Sequence, residues 1–191
     1  LASGQIVERL DTKGEPAQAV AFTPDGPVVV TDRRGKLQVW DVAKGRQRFA
    51  ISTIANPAEV RFDAHGTRLI VGLGGSVAVG YALAKQQQHE VHLYDTKRGQ
   101  LLQALKGLER EISDADLSTD GTRLAVISYQ RLSVFDLKTG AILRTLPIYP
   151  RSPVSVAFHP GGHEVTVGGQ PMNSTPPALV TYDAVALKAT Q

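Results

Sequence analysis

Short apolar runs separated by turn residues organise this chain from end to end. The stretch 19–42, AVAFTPDGPVVVTDRRGKLQVWDV, shows the pattern in full. Residues 19–22 alternate into a strand. Thr23-Pro24-Asp25-Gly26 makes a β-turn with Pro and Gly where turn geometry favours them. Residues 28–31 form a β-branched strand, 32–35 turn the chain again, and 37–42 give a third strand. Lys44-Gly45 then turns into a fourth strand at 47–51.

The same phrase returns three times. The second copy predicts strands at 59–62, 68–72, 90–95 and 100–105. The third predicts 114–117, 123–128, 131–136 and 141–146. The fourth predicts 154–158, 164–168 and 179–183, with no convincing fourth strand before Gln191. Ahead of the first copy, residues 4–10 read as one further strand and 11–16 as a loop. Three landmarks fix the period. The turn glycines Gly26, Gly66, Gly121 and Gly162 are 40, 55 and 41 residues apart. Trp40, Tyr94, Phe135 and Tyr182, each followed by Asp, are 54, 41 and 47 apart. Gly4, Gly45, Gly99 and Gly140 are 41, 54 and 41 apart. A unit of about 41 residues with four short strands indicates an all-β fold, a β-propeller of about four blades of four antiparallel strands. The units run approximately 11–51, 56–105, 112–146 and 153–191, within a single domain 1–191 or a propeller fragment of that length. Residues 1–10 supply the outer strand of a preceding or closing blade.

The aromatic-Asp ending of the third strand, the Pro-Asp-Gly turn and the order of four short strands resemble the WD-repeat β-propellers over essentially the whole chain. Only the first unit has a literal Trp-Asp, Trp40-Asp41, and the family's Gly-His pair is missing from every unit; Gly14-Glu15 stands near its place in the first. The family's buried hydrogen-bond set would find Thr31, Asp32 and Trp40 here, without its His. The copies are divergent, of a kind common in bacterial repeat proteins. The resemblance implies a non-enzymatic protein–protein interaction scaffold. The alternative is the propeller portion of a larger enzyme or redox protein whose cofactor or catalytic residues lie outside this chain. The blade count is open. Residues 5–10 pair with 179–183 to close a four-bladed ring, or the chain is part of a larger propeller, since the family's rings usually have about seven blades, or two copies complete one ring. The sequence opens at Leu1 without Met, which leaves room for an upstream segment.

In that family the loops between the second and third strands, and between one unit and the next, share one face. Two irregular insertions fall in the former class, residues 74–89 (GGSVAVGYALAKQQQH) and 169–177 (GQPMNSTPP). Loops that break a regular repeat are where function is added. Together with the corresponding turns of units one and three, they nominate Arg33, Arg34, Tyr81, Gln86, Gln87, Gln88, His89, Gln130, Arg131, Met172 and Asn173 as a polar, mildly basic binding surface for a protein partner. The bland reading is an extended hairpin with a solvated crossing.

Composition narrows the chemistry. The 191 residues are 42% hydrophobic and 20% charged, enough for a real core. The net charge is +3, and its basic residues are spread rather than gathered on one face, which argues against a dedicated nucleic-acid surface. There is no cysteine, so disulfides, thiolate metal sites and Cys nucleophiles are all excluded, while cytoplasm and periplasm both remain open as compartments for a soluble chain. No apolar run approaches the roughly 18 residues of a membrane span, and no signal peptide is evident. No GxSxG element, P-loop or HExxH is present, and no cofactor is expected. His159 and His163 flank Pro-Gly-Gly in a turn, where helical zinc spacing does not apply; they read as exposed turn residues. His65, His89 and His92 read as surface or partly packed. Asp114 and Asp116 alternate on a first strand, so both face the central channel, hydrogen-bonded or hydrated there, or holding a cation.

Overall fold

The computed structural model describes residues 20–22, 26–31, 36–41, 44–53, 57–63, 66–74, 89–148, 152–170 and 179–184. Every regular element among them is a strand except for a short helical turn at Lys44. Four antiparallel sheets follow one another along the chain, as a β-propeller requires. The first holds β1 (Val20–Phe22), β2 (Pro27–Thr31), β3 (Lys36–Asp41) and β4 (Arg46–Ser52). The second holds β5 (Pro57–Phe62), β6 (Arg68–Leu73), β7 (Val91–Asp95) and β8 (Leu101–Leu105). The third holds β9 (Ile112–Leu117), β10 (Arg123–Ser128), β11 (Arg131–Asp136) and β12 (Ile142–Pro147). The fourth has three described strands, β13 (Ser152–Phe158), β14 (Glu164–Gln170) and β15 (Leu179–Asp183). The strand expected at 4–10 lies outside the described residues.

Sheets stack through their first strands, β1 on β5, β5 on β9 and β9 on β13. Three hydrophobic clusters fill the gaps between consecutive sheets. Leu37, Val39, Val60, Leu69, Val71, Leu73 and Tyr94 lie between the first and second. Ile70, Leu93, Leu105, Ile112, Leu124, Val126 and Phe135 lie between the second and third. Ala125, Ile127, Leu132, Val156, Val165, Val167 and Tyr182 lie between the third and fourth. The second strands of the second and third blades are sandwiched, so alternate residues serve different neighbours: Leu124 and Val126 face one way, Ala125 and Ile127 the other. That is why these strands read as unbroken apolar runs rather than as an alternating pattern. The aromatic before each Asp is buried (Trp40, Tyr94, Phe135 and Tyr182), and in the last three blades it faces the preceding sheet.

The turns repeat with the same fidelity. Where the first strand passes to the second, the glycine amide returns to the carbonyl three residues back: Gly66 to Asp63 (2.9 Å), Gly121 to Ser118 (2.8 Å) and Gly162 to His159 (2.8 Å). Side chains then satisfy the exposed amides in unit-specific ways. Asp63 accepts from the Thr67 amide and hydroxyl and from the Arg68 amide. In the third unit Ser118 stands in that position, and Asp120 accepts from the Ser118 hydroxyl (2.6 Å) and from Thr122 N and Oγ1 (3.0 and 2.9 Å). These donors hold the Asp120 carboxyl down to about 2. At the turn between third and fourth strands the Asp of the aromatic-Asp pair caps the chain. Asp95 accepts from the amides of Lys97 and Arg98, and Asp136 from Thr139 N and Oγ1. The next amide then ties this turn to the other one on the same end: Thr96 N to Thr67 O (3.1 Å), Leu137 N to Thr122 O (2.9 Å) and Ala184 N to His163 O (2.7 Å).

Glycine closes the third-to-fourth turn because the preceding blade comes too near. Gly99 has φ +67°, and a Cβ there would meet the Phe49 ring of β4 at 2.7 Å. Gly140 has φ +77°, and a Cβ would meet Gln103 Nε2 of β8 at 2.5 Å. With its amide turned to satisfy both ends, Gln103 donates to Leu137 O and accepts from Gly140 N, each at 3.2 Å, which stitches β8 to the next blade.

Two outcomes are expected. Gly121→Ala meets no atom within 4 Å and carries only the left-handed backbone cost, about 1 kcal/mol. Gly140→Ala must also displace a flexible side-chain end, and Gly99→Ala a packed ring, so urea unfolding should rank the losses Gly99, Gly140, Gly121 in descending order; a Gly121→Ala loss equal to that of Gly99→Ala would contradict the close-approach argument. Asp120 has a depressed folded pKa, so its stabilisation is complete above 3.8 and disappears as pH falls through about 2. Asp120→Asn should flatten the pH dependence of thermal stability in that window and lower the stability itself near neutrality, where the charged form is fully present.

Candidate functional site

The register fixes which loops share an end. Val91 pairs with Leu105, and Ile112 pairs with Ser128, so the link 106–111 joins the same ends of the second and third sheets. The β10–β11 turn sits at that end, and the ends of the 74–89 insertion do too, since Leu73 N bonds to Glu90 O (2.8 Å). The expected shared face is therefore present for these segments.

At this end the link 106–111 folds over the third blade and leaves a cleft of about 290 Å³. Gly107, Leu108, Glu109 and Arg110 form one wall, Ser128, Tyr129 and Arg131 the other, and Ser133 with Thr145 the remainder. Backbone bonds pin the two walls together: Tyr129 N to Glu111 O (3.1 Å), and the Ser128 hydroxyl to Arg110 O (2.7 Å). Ser133 Oγ and Thr145 Oγ1 share one hydrogen bond of 2.8 Å. The turn between Ser128 and Arg131 has only two central residues, Tyr129 and Gln130. Tyr129 adopts φ +57°, the single non-glycine residue with positive φ among the described residues. Left-handed backbone is normally given to Gly or Asn in such turns, and a bulky residue there costs about 1–2 kcal/mol. The ring nevertheless stands 60% exposed, with the Arg110 guanidinium carbon 5.6 Å from its centroid. A cation over an aromatic face at an exposed site is worth about 0.5–1 kcal/mol, which offsets part of the strain. Neither Arg110 nor Arg131 forms an ion pair among the described residues.

Of the residues nominated from sequence, Arg131 lines this cleft and Gln130 lies in its turn. His89 sits at the base of the 74–89 insertion, its Nδ1 buried against Gly74 without a hydrogen-bond partner among the described residues. Arg33, Arg34, Tyr81, Gln86, Gln87, Gln88, Met172 and Asn173 lie outside the described residues. Sequence reasoning missed Tyr129 and Arg110. Tyr129 occupies a turn with no glycine to flag it, and Arg110 belongs to a link between blades that looked like a mere connection.

One expectation about histidine changes. His92 is not a surface or partly packed residue: it is buried on β7, with Nε2 2.9 Å from Glu90 Oε2 and Nδ1 3.1 Å from Tyr94 Oη. Residues 90, 92 and 94 share a strand face by alternation, and Lys106 Nζ reaches Glu90 at 3.6 Å. His159 and His163 are exposed in their turn, and no cluster of three or more His, Cys, Asp or Glu suited to a metal occurs among the described residues. Trp40 is buried with its indole Nε1 lacking a hydrogen-bond partner among the described residues.

Asp114 and Asp116 are hydrogen-bonded, the first of the readings their alternation on one strand left open. Asp114 Oδ2 accepts from Val156 N and Asp116 Oδ2 from Phe158 N, both at 2.7 Å. Arg61 on β5 donates to Asp114 Oδ1 (2.8 Å) and to Glu59 (3.0 Å), and its other terminal nitrogen lies 3.7 Å from Asp116. The carboxylates thus link three consecutive first strands. Burial pushes the Asp116 carboxyl up, against the pull of the Phe158 amide and Arg61. Burial, then the Asp114 charge, raises Glu59. Burial alone would lower Arg61, but Asp114, Glu59 and Asp116 together raise it. Glu59 and Asp116 bind protons more readily folded than unfolded, so they oppose folding above their folded pKa and cease to do so as pH falls through it.

The chain matches no family model. Over 117 residues, 60% of this chain, it is 30% identical to the periodic tryptophan protein 2 homolog of Schizosaccharomyces pombe, a WD-repeat protein. The matched stretch spans 13% of that protein's length. With the strand-rich architecture, the match supports a WD-like propeller.

Asp114→Ala should remove the acceptor of a buried amide and the partner of Arg61 together, costing about 3 kcal/mol in urea unfolding. Asp116→Ala, at a more exposed site, should cost about half of that. Equal or negligible losses would refute the latch.

Proposed function

We propose that this chain is a WD-like interaction module, and that it binds another protein at the end of the blades carrying the 106–111 link and the β10–β11 turn. The reading rests above all on Tyr129. An aromatic ring is held exposed at a backbone conformation that resists it, beside a cleft with two arginines that have no ion pair among the described residues. Strain retained at an exposed aromatic is a mark of a binding surface, and Tyr with Arg is the composition that dominates protein–protein hot spots. At the opposite end of the blades, the Asp95 and Asp136 carboxylates and the amides of the described turns are already hydrogen-bonded within the fold. Gln130, Arg131 and the residues nominated in the 74–89 and 169–177 insertions extend the same interaction face. The partner is a protein, and the other nominated residues (Arg33, Arg34, Tyr81, Gln86, Gln87, Gln88, His89, Met172 and Asn173) serve its periphery. Among the described residues no helix is long and apolar enough to cross a membrane.

The test is affinity capture with the whole chain, followed by mass spectrometry and direct binding to the recovered partner. Tyr129→Gly and Arg131→Glu should each weaken binding by roughly tenfold or more, whereas Lys97→Glu, at the opposite end, should leave it unchanged. Retention of full affinity by both cleft variants, or loss only with Lys97→Glu, would place the interface elsewhere.

A further inference from the structure

We infer that the cleft at Arg110, Tyr129 and Arg131 takes an acidic peptide segment of the partner, with one carboxylate side chain between the two guanidinium groups and an apolar neighbour on the Tyr129 ring. This deepens the interaction reading and depends on it. Four observations carry it. First, the cleft lining carries two arginines against one carboxylate, Glu109, with Glu111 just outside it, so the lining itself is net positive. Second, in contrast to Arg48 and Arg61, which are neutralised by Asp41 and by Glu59 and Asp114, these two arginines have no ion pair among the described residues, so a ligand carboxylate displaces no carboxylate of those residues. Third, Arg110 is already stacked over Tyr129, and its loop is tied to the β10–β11 hairpin by two hydrogen bonds. A fork of donors ordered in advance loses less freedom on binding a carboxylate. Fourth, Ser133 and Thr145 spend only one hydroxyl hydrogen on each other, which leaves the second as a donor at the cleft.

The size and shape favour a peptide over nucleic acid. A cleft of about 290 Å³ receives one or two side chains. A phosphodiester strand needs a track of cations, and here Glu109 and the neighbouring Glu111 interrupt it. Glu109 also sets the register: a second acidic side chain of the ligand must point away from that wall.

The experiment titrates the 15N-labelled chain with Ac-Leu-Asp-Glu-Leu-amide and, in parallel, with its uncharged counterpart Ac-Leu-Asn-Gln-Leu-amide. The acidic peptide should shift the amides of residues 107–110 and 129–131. The uncharged peptide should bind roughly fivefold more weakly or worse, and added salt should weaken the acidic one. Arg110→Gln and Arg131→Gln should each reduce affinity by a similar factor, and Glu109→Gln should increase it. Tyr129→Gly separates binding from folding, because it relieves the backbone strain: it should unfold at the same or a higher denaturant concentration, yet bind more weakly. The inference is overturned if the two peptides bind alike, if neither shifts these amides, if Glu109→Gln weakens binding, or if an oligo-dT strand binds the same amides more tightly than the acidic peptide. Failure here, with the captured partner still lost on Arg131→Glu, would discard the acidic ligand and keep the interface; retention of the partner by that variant would discard both.

Discussion

Inter-blade cohesion rests on carboxylates that reach sideways. The first strand of a propeller blade is an edge, and alternate amides on it face away from the strand it pairs with. In β13 the amides of Val156 and Phe158 point to that open side, and Asp114 and Asp116 of the preceding blade accept both. Without those oxygens the amides would be buried donors with no acceptor, each an unfavourable desolvation of about 1–3 kcal/mol. Arg61 approaches the same carboxylates from the other side and balances their charge. Three sheets are joined by side chains across a seam that no backbone ladder crosses. The hydrophobic clusters between the sheets supply area, while this network supplies alignment.

The alignment explains why the outer parts of the blades can be stitched so regularly. Once the first strands are in register, the turn between the third and fourth strands falls against the outer strand of the blade before it. Gly99 then meets Phe49 and Gly140 meets Gln103. The same placement brings the 106–111 link across the top of the third blade, where its carbonyls take up Tyr129 N and the Ser128 hydroxyl. The cleft is thus a consequence of how two blades dock. The exposed Tyr129 beside it is the point where local preference yields: the turn would be more stable with glycine.

The strand order, the turns and the pairing partners were legible because each unit repeats the same local signals. The turn glycines and the Asp after each aromatic act within a few residues, and period-2 patterning acts within one strand, so all of them can be read along the chain. The carboxylates at 114 and 116 were legible as a pair on one strand face, but not as a latch, because their partners lie 42 residues away. His92 was misjudged for a similar reason. A histidine near the start of a strand gives no local sign that Glu90 and Tyr94 will enclose it. Among the surface candidates, Gln130 and Arg131 were nominated through the repeat, since they fall where the loop of another unit expands. Tyr129 and Arg110 carried no such mark.

The sequence by itself determined the all-β unit, its period and the position of nearly every described strand, because those depend on patterns of two to four residues repeated four times. Only the tertiary structure decided which polar groups meet across blades, and therefore that Asp114 and Asp116 hold the seam, that Glu90, His92 and Tyr94 form a buried chain, and that a cleft opens between Arg110 and Arg131. The physical reason is range. Strand pairing and turns are set by neighbours along the chain, whereas a contact between blades joins residues about one repeat apart and depends on the relative placement of whole sheets.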